Sequence, residues 1–288
     1  MDLSSWSSTD AANYWLSSQN RHWRFSRQQL ENIRLETESE TRFSRPELGD
    51  PRHLRIYFHG LIQSLGRHLS VRQQALATSE IYLARFYVRT SVQETNPYLI
   101  IATCVYVACK MEECPQHIRS VVSEAKSLWP DFITHDPTKL AECEFYLIEE
   151  LDSYLIVHHP YRSLIQLSKA LGASGVNVGL SSDEMQTAWS VINDSYITDL
   201  PLLYPPHVIA LTAIYMSVVL RPPPVAAQAE RSKTRLQKIM DWFAGCGIDL
   251  EAVVDCAQEM ISLYDVWESY SEKTCRELIA RVVSGRRG

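Results

Sequence analysis

Two stretches of this chain are copies of one another, and that duplication narrows the folds open to it. Pro97-Tyr-Leu-Ile-Ile-Ala-Thr-Cys-Val-Tyr-Val-Ala-Cys109 lies over Pro206-His-Val-Ile-Ala-Leu-Thr-Ala-Ile-Tyr-Met-Ser-Val218 without a gap, with Pro97/Pro206, Ile100/Ile209, Thr103/Thr212 and Tyr106/Tyr215 identical. The step from Pro97 to Pro206 is far longer than a solenoid repeat. Both copies open with proline, whose fixed φ suits a first helical turn, and both continue apolar around most of the circumference, as a helix buried on several sides must. Upstream of each, a tyrosine (Tyr82, Tyr196) follows an acid two residues earlier (Glu80, Asp194), so the duplication covers at least two helices. The pattern predicts two similar all-α domains in tandem, each built around one of the copies.

The 288 residues leave room for two domains, and 45% hydrophobic content supplies each with a core. With only 10 glycines, glycine-rich phosphate cradles are disfavoured and helices joined by short turns are favoured. The formal net charge of −6 lacks the basic surface that nucleic acid requires, so the expected partner is protein. Seven cysteines without a Cys-x-x-Cys pair are expected to be reduced, small apolar groups rather than metal ligands, which points to an intracellular compartment. No apolar run approaches the ~20 residues of a membrane span, and Met1-Asp-Leu-Ser-Ser-Trp6 lacks the basic and apolar regions of a signal peptide.

Residues 1–50 are polar and uneven and read as an N-terminal arm with a short helix over Ser26–Leu35. A first domain is expected over 51–158. Its five helices open at Asp50-Pro51, near Val71, at Pro97 behind the cap Asn96, after Pro115, and at Asp136-Pro137, the last running to about Leu155. A second domain is expected over 159–270. Its helices are Tyr161–Leu171 stopped by Gly172, Asp183 to about Thr198 behind a capping box Ser181-x-x-Glu184, Pro206–Leu220, Arg235–Ala244, and Leu250 to about Tyr270. The three-proline segment 221–234 reads as an exposed loop insertion, and 271–288 as a short C-terminal helix and tail.

The two copies differ in one respect that carries chemistry. After the matched stretch the first reads Lys110-Met-Glu-Glu113, the second Val219-Leu-Arg-Pro222; Glu144, within the apolar run Cys143-Glu-Phe-Tyr-Leu-Ile148, corresponds to Val253. Lys and Glu are rarely set among apolar residues unless paired, so a Lys110–Glu144 ion pair is expected. Such a pair either fastens two helices or serves a partner. Stability alone is a weak reason for it, whereas its spare donors and lone pairs suit the backbone of a partner helix.

These residues resemble the cyclin box, in which a lysine ending the third helix pairs with a glutamate on the fifth. Leu65-Gly-x-His-Leu69, Arg72-Gln-Gln74, Arg85-Phe-Tyr87, Glu142-Cys-Glu-Phe-Tyr-Leu147, Leu155-Ile-Val157, His159-Pro-Tyr-Arg162, Thr198-Asp-Leu200, Leu203-Tyr-Pro-Pro206 and Asn13-Tyr-Trp-x-Ser-Ser18 are similar to the cyclin C subfamily, the cyclins of the Mediator kinase module, in its fungal form. The resemblance implies two tandem five-helix cyclin boxes and no catalysis, cofactor or metal. It also implies a nuclear location and partners in a cyclin-dependent kinase and the other subunits of the Mediator kinase module. By the same resemblance, Lys110, Glu144, Val107, Met111, Glu113, Ile148 and Leu155 are the kinase-binding residues. Leu54-Arg-Ile-Tyr-Phe58 stands where substrate-recruiting cyclins carry Met-Arg-Ala-Ile-Leu, and Arg27-Gln-Gln-Leu30 matches the short core of a destruction box. The alternatives are a cyclin H-like transcriptional cyclin and a TFIIB-like factor. Against the latter stand the acidic balance and the absence of paired cysteines before Cys104. No phosphate-loop, dinucleotide, zinc-protease or nucleophile-elbow motif is present, and His158-His159 lacks a further ligand at metal spacing.

Overall fold

The computed structural model describes residues 13–40, 49–173, 178–220 and 226–285; among them there are α-helices and short 3₁₀ turns but no strands. Two compact units result, one formed by 1–157 with 266–288 and the other by 158–265.

In the first unit α1 (Ser18–His22) and α2 (Arg27–Glu40) precede α3 (Pro51–His68), α4 (Gln73–Arg89), α5 (Pro97–Met111), α6 (Ile118–Leu128) and α7 (Pro137–Glu150). Asp50, Asn96 and Asp136 cap α3, α5 and α7 by accepting from the N–H of Arg52, Tyr98 and Thr138, each followed by proline at the first position. The apolar α5 is the hub, packed against α3, α4, α6 and α7, and eleven of its fifteen residues are buried, as its unbroken hydrophobicity requires.

Gly66 lets α3 approach α4. A Cβ there would sit 2.4 Å from Cδ2 of buried Leu76, whereas a Cβ at Gly60 on the same helix meets nothing within 4 Å. Overpacking costs about 1–3 kcal/mol, against which alanine recovers about 1 kcal/mol over glycine in a helix. Gly66→Ala should therefore lower stability by roughly 1 kcal/mol while Gly60→Ala raises it by up to about as much, in denaturant unfolding. Shifts of the same sign would refute the close approach.

The second unit holds α8 (Pro160–Ala173), α9 (Ser182–Ser195), α10 (Leu200–Leu203), α11 (Pro206–Val219), α12 (Ala226–Gly245) and most of α13 (Leu250–Glu268). Its hub is the second copy, α11, packed against α8, α9, α10 and α12. The capping box forms: Ser181 accepts from Glu184 N–H, and Glu184 accepts from Ser181 N–H at 2.7 Å. Arg235 of α12 donates to the same carboxylate. Burial opposes ionisation of Glu184, but these bonds outweigh it and hold the carboxyl below its usual range. The stability it adds is present above the ordinary carboxylate pKa and is lost as pH falls through the depressed one.

Several expected boundaries are corrected. The fifth helix of the first unit, α7, ends at Glu150 rather than near Leu155, because Asp152 and Ser153 take left-handed φ of 51° and 60°. Helix α8 passes through Gly172 to Ala173, and the short α10 stands between the expected second and third helices. Of the expected loop 221–234, residues from Ala226 onward are helical, since Ala-Ala-Gln-Ala-Glu is rich in strong helix formers despite lacking an apolar period; 221–225 lie outside the described residues. The unit boundary falls inside α13, and α14 (Glu272–Ser284) packs on α3 of the first unit, burying Cys275, Ile279 and Val283.

Candidate partner-binding site

Helices α5 and α7 meet through buried side chains, with Leu140, Cys143 and Leu147 forming the inner stripe of α7. Glu144 lies on the flank of that stripe, and Lys110 in the last turn of α5, where a cation also suits the helix dipole. The structure joins them: the Lys110 ammonium donates to the Glu144 carboxylate and lies 4.4 Å from the centre of the Tyr106 ring, one turn earlier on α5. The side chains remain 39% and 16% exposed, so the pair sits at an apolar surface rather than inside it. An ion pair this accessible adds little to stability, about 0–1 kcal/mol, and leaves ammonium protons and carboxylate lone pairs for a visitor.

The other expected contacts divide. Met111 is exposed beside the pair in sequence, and Ile148 is half-buried one turn beyond Glu144. Glu113 is exposed at the left-handed position after α5, φ 53°. Its neighbour Glu112 turns the other way, accepting from Thr78 Oγ1 and Gln74 Nε2 at 2.6 Å each. Val107 is corrected: only 2% exposed, it belongs to the core and offers no surface. Leu155 lies past α7, half-buried, in a segment fastened to α4. Tyr82 donates to the Leu155 carbonyl, Arg85 to that of Tyr154, and Arg89 to Glu150 O and Asp152. Arg85 and Arg89 in turn lie over the ring of Trp23, and His22 stacks on Tyr154.

Sequence reasoning missed Phe145. It is 75% exposed, next to Glu144 on α7, the most exposed of the large hydrophobic side chains among the described residues. A phenylalanine in an apolar run looks like core unless its helical phase is compared with Leu140, Cys143 and Leu147, which points it outward. The Met-Arg-Ala-Ile-Leu counterpart is core instead: Leu54, Ile56, Tyr57 and Phe58 are all buried, as is Leu30 of the destruction-box match. Among the described residues no cluster could hold a metal ion, and no helix is long and apolar enough to cross a membrane.

Residues 25–156 match the model of the cyclin N-terminal domain. The chain is 51% identical over 279 residues to the RNA polymerase II holoenzyme cyclin-like subunit of Yarrowia lipolytica, covering 95% of this chain and 100% of that one. The Aspergillus fumigatus protein of the same name is 49% identical over 304 residues, covering 96% and 98%. In fold it is similar to a chain of the CAK complex of Chaetomium thermophilum (TM-score 0.67, 20% identity, covering 96% of this chain and 90% of that one). It is also similar to one in the yeast TFIIK complex (TM-score 0.64, 22% identity, 86% and 100%). The chain therefore belongs to the cyclins, in the family of the RNA polymerase II holoenzyme cyclin-like subunits, and is a regulatory subunit, not an enzyme.

Proposed function

We propose that this chain binds and activates a cyclin-dependent kinase, that of the Mediator kinase module, and through it regulates RNA polymerase II transcription in the nucleus. The observation that carries this reading is the Lys110–Glu144 pair held accessible in an apolar surface with Met111, Phe145 and Ile148 in neighbouring positions. Lys110 donates to backbone carbonyls of the kinase, Glu144 accepts its backbone amides, and the apolar side chains cover the contact from water. Docking there presses the kinase's αC helix inward, aligning its own Lys–Glu pair and magnesium-binding aspartate for phosphoryl transfer. The names of the relatives support the link to RNA polymerase II, and the sequence likeness to cyclin C supports the Mediator kinase. The division into two compact units, each with one copy as its hub, is in keeping with two cyclin boxes.

The purified chain should neither hydrolyse ATP nor phosphorylate a peptide. Added in equimolar amount, it should raise the activity of the Mediator cyclin-dependent kinase, and the tagged chain should bring that kinase and Mediator subunits out of its own cells. Recovery of a different kinase without Mediator subunits would leave a transcriptional cyclin but remove the Mediator assignment.

A further inference from the structure

The turn that ends α5 brings two thiols together. Glu113 has a left-handed φ of 53°, and the N–H of Cys114 donates back to the carbonyl of Cys109 at 2.9 Å, the six-to-one bond of a Schellman motif. That motif sets its third-from-last helical residue against the second residue past the cap, and here both are cysteines, placed on facing positions by the backbone bond between them. Cys109 is buried and Cys114 is partly exposed; both are free thiols. Any apolar pair would complete the motif. Two thiols on facing positions of a turn already closed by the backbone are also candidates for a disulfide, which joins residues whose backbones lie this near.

We propose that Cys109 and Cys114 form a peroxide-sensitive dithiol, closing to an intrachain disulfide that weakens binding of the kinase partner. The accessible Cys114 reacts first: its thiolate attacks an oxygen of hydrogen peroxide, the O–O bond breaks, hydroxide leaves and takes up a proton, and a sulfenic acid remains. Cys109 then attacks that sulfur and gives up its proton. The S–O bond breaks, water leaves, and the two thiols have lost two electrons to one peroxide, which ends as two waters. Burial pushes the Cys109 thiol up to about 12, which keeps it from reacting first and slows its own attack; that second step relies on the electrophilic sulfur being held beside it. Closure brings the sulfurs to about 2.05 Å, pulling Cys114 onto the helix end and tightening the ring that contains Lys110, Met111, Glu112 and Glu113. The disulfide stands on the turn geometry alone; its effect on binding rests on the kinase reading of this corner.

The full-length chain is treated with hydrogen peroxide, alkylated and digested with trypsin without reduction. Trypsin cuts after Lys110, so Cys109 and Cys114 leave on separate peptides unless an S–S bond joins them. The expected product is that joined pair, lost in both Cys114→Ser and Cys109→Ala; the second variant distinguishes Cys109 from Cys104 on the same peptide. Affinity for the recombinant Mediator cyclin-dependent kinase should fall several-fold on oxidation, return with dithiothreitol, and stay constant in Cys114→Ser. Conversion of Cys114 to sulfinic acid without a link, or links elsewhere, would overturn the dithiol. A Cys109–Cys114 link with unchanged affinity would overturn the switch. If the reduced chain does not bind the kinase, the proposed function fails, and the peptide map still decides the disulfide.

Discussion

Lys110→Ala and Glu144→Ala should each weaken binding to the kinase by about 2–5 kcal/mol, the range for removing one member of a hydrogen-bonded pair that becomes buried in an interface. The free chain should notice either change much less, because the pair sits at the surface, its side chains 39% and 16% exposed, and a pair of that kind contributes about 0–1 kcal/mol to folding. The two effects therefore separate: binding is lost while the unfolding midpoint stays. Lys110→Ala/Glu144→Ala should cost less than the sum of the single losses, since the two residues share one network. The second unit supplies controls at the corresponding positions. Val253 is buried, so Val253→Ala should cost on the order of 2 kcal/mol of stability. Val219 is 45% exposed and should change little, and neither substitution should alter kinase affinity in folded protein. Isothermal titration against the kinase, beside denaturant unfolding of the chain alone, measures both quantities. Wild-type affinity in both single variants would remove the mechanism, and strictly additive losses would argue against a shared pair.

The features visible in the sequence are those written in local chemistry. Asp50-Pro51, Asn96-Pro97 and Asp136-Pro137 state a cap and a first turn in two residues, and all three helices begin there. The Lys110–Glu144 pair was visible because two charges interrupt an apolar pattern that the second copy keeps intact. What was hidden depends on tertiary contacts. Nothing local ends α7 at Glu150; the segment after it is held by Arg85 and Arg89 of α4, and the left-handed Asp152 and Ser153 follow from that. Val107 and Met111 both belong to the end of an apolar helix, yet only packing decides that Val107 is core and Met111 is surface. The N-terminal arm looks like an appendage in sequence because its aromatic residues show no period, while Trp23 is a member of the first unit's core. The lack of a Cys-x-x-Cys pair hides the cysteines' relation, because a spacing of five places Cys109 and Cys114 on facing positions only once the chain takes the Schellman turn.

Trp23→Ala should lower the stability of the first unit by about 3–5 kcal/mol, the cost of deleting a fully buried tryptophan. The ring is 1% exposed, packed edge-on to Phe25, with the guanidinium carbons of Arg85 and Arg89 at 5.2 and 4.7 Å from its centre. Arg85 is itself buried, and burial draws its pKa down to about 10; the Trp23 face and the Tyr154 carbonyl, with Tyr82 and Tyr14 nearby, support its charge. Removing the indole leaves that charge facing a cavity, which adds to the cost of the lost contacts. Trp23→Phe keeps an aromatic face and should lose clearly less. Trp15, 53% exposed in the same arm, gives the baseline: Trp15→Ala should stay within about 0.5 kcal/mol. Because Arg85 and Arg89 also hold residues 150–155, the amides of that segment should exchange faster in Trp23→Ala under conditions where α5 remains protected. Kinase affinity should fall too, through Leu155, with Lys110 and Glu144 unchanged. Denaturant unfolding and hydrogen exchange of the three variants test this: a loss no greater than that of Trp15→Ala would mean that the arm is an appendage after all, and unaltered exchange at 150–155 would break the proposed link from Trp23 through the two arginines to the partner surface.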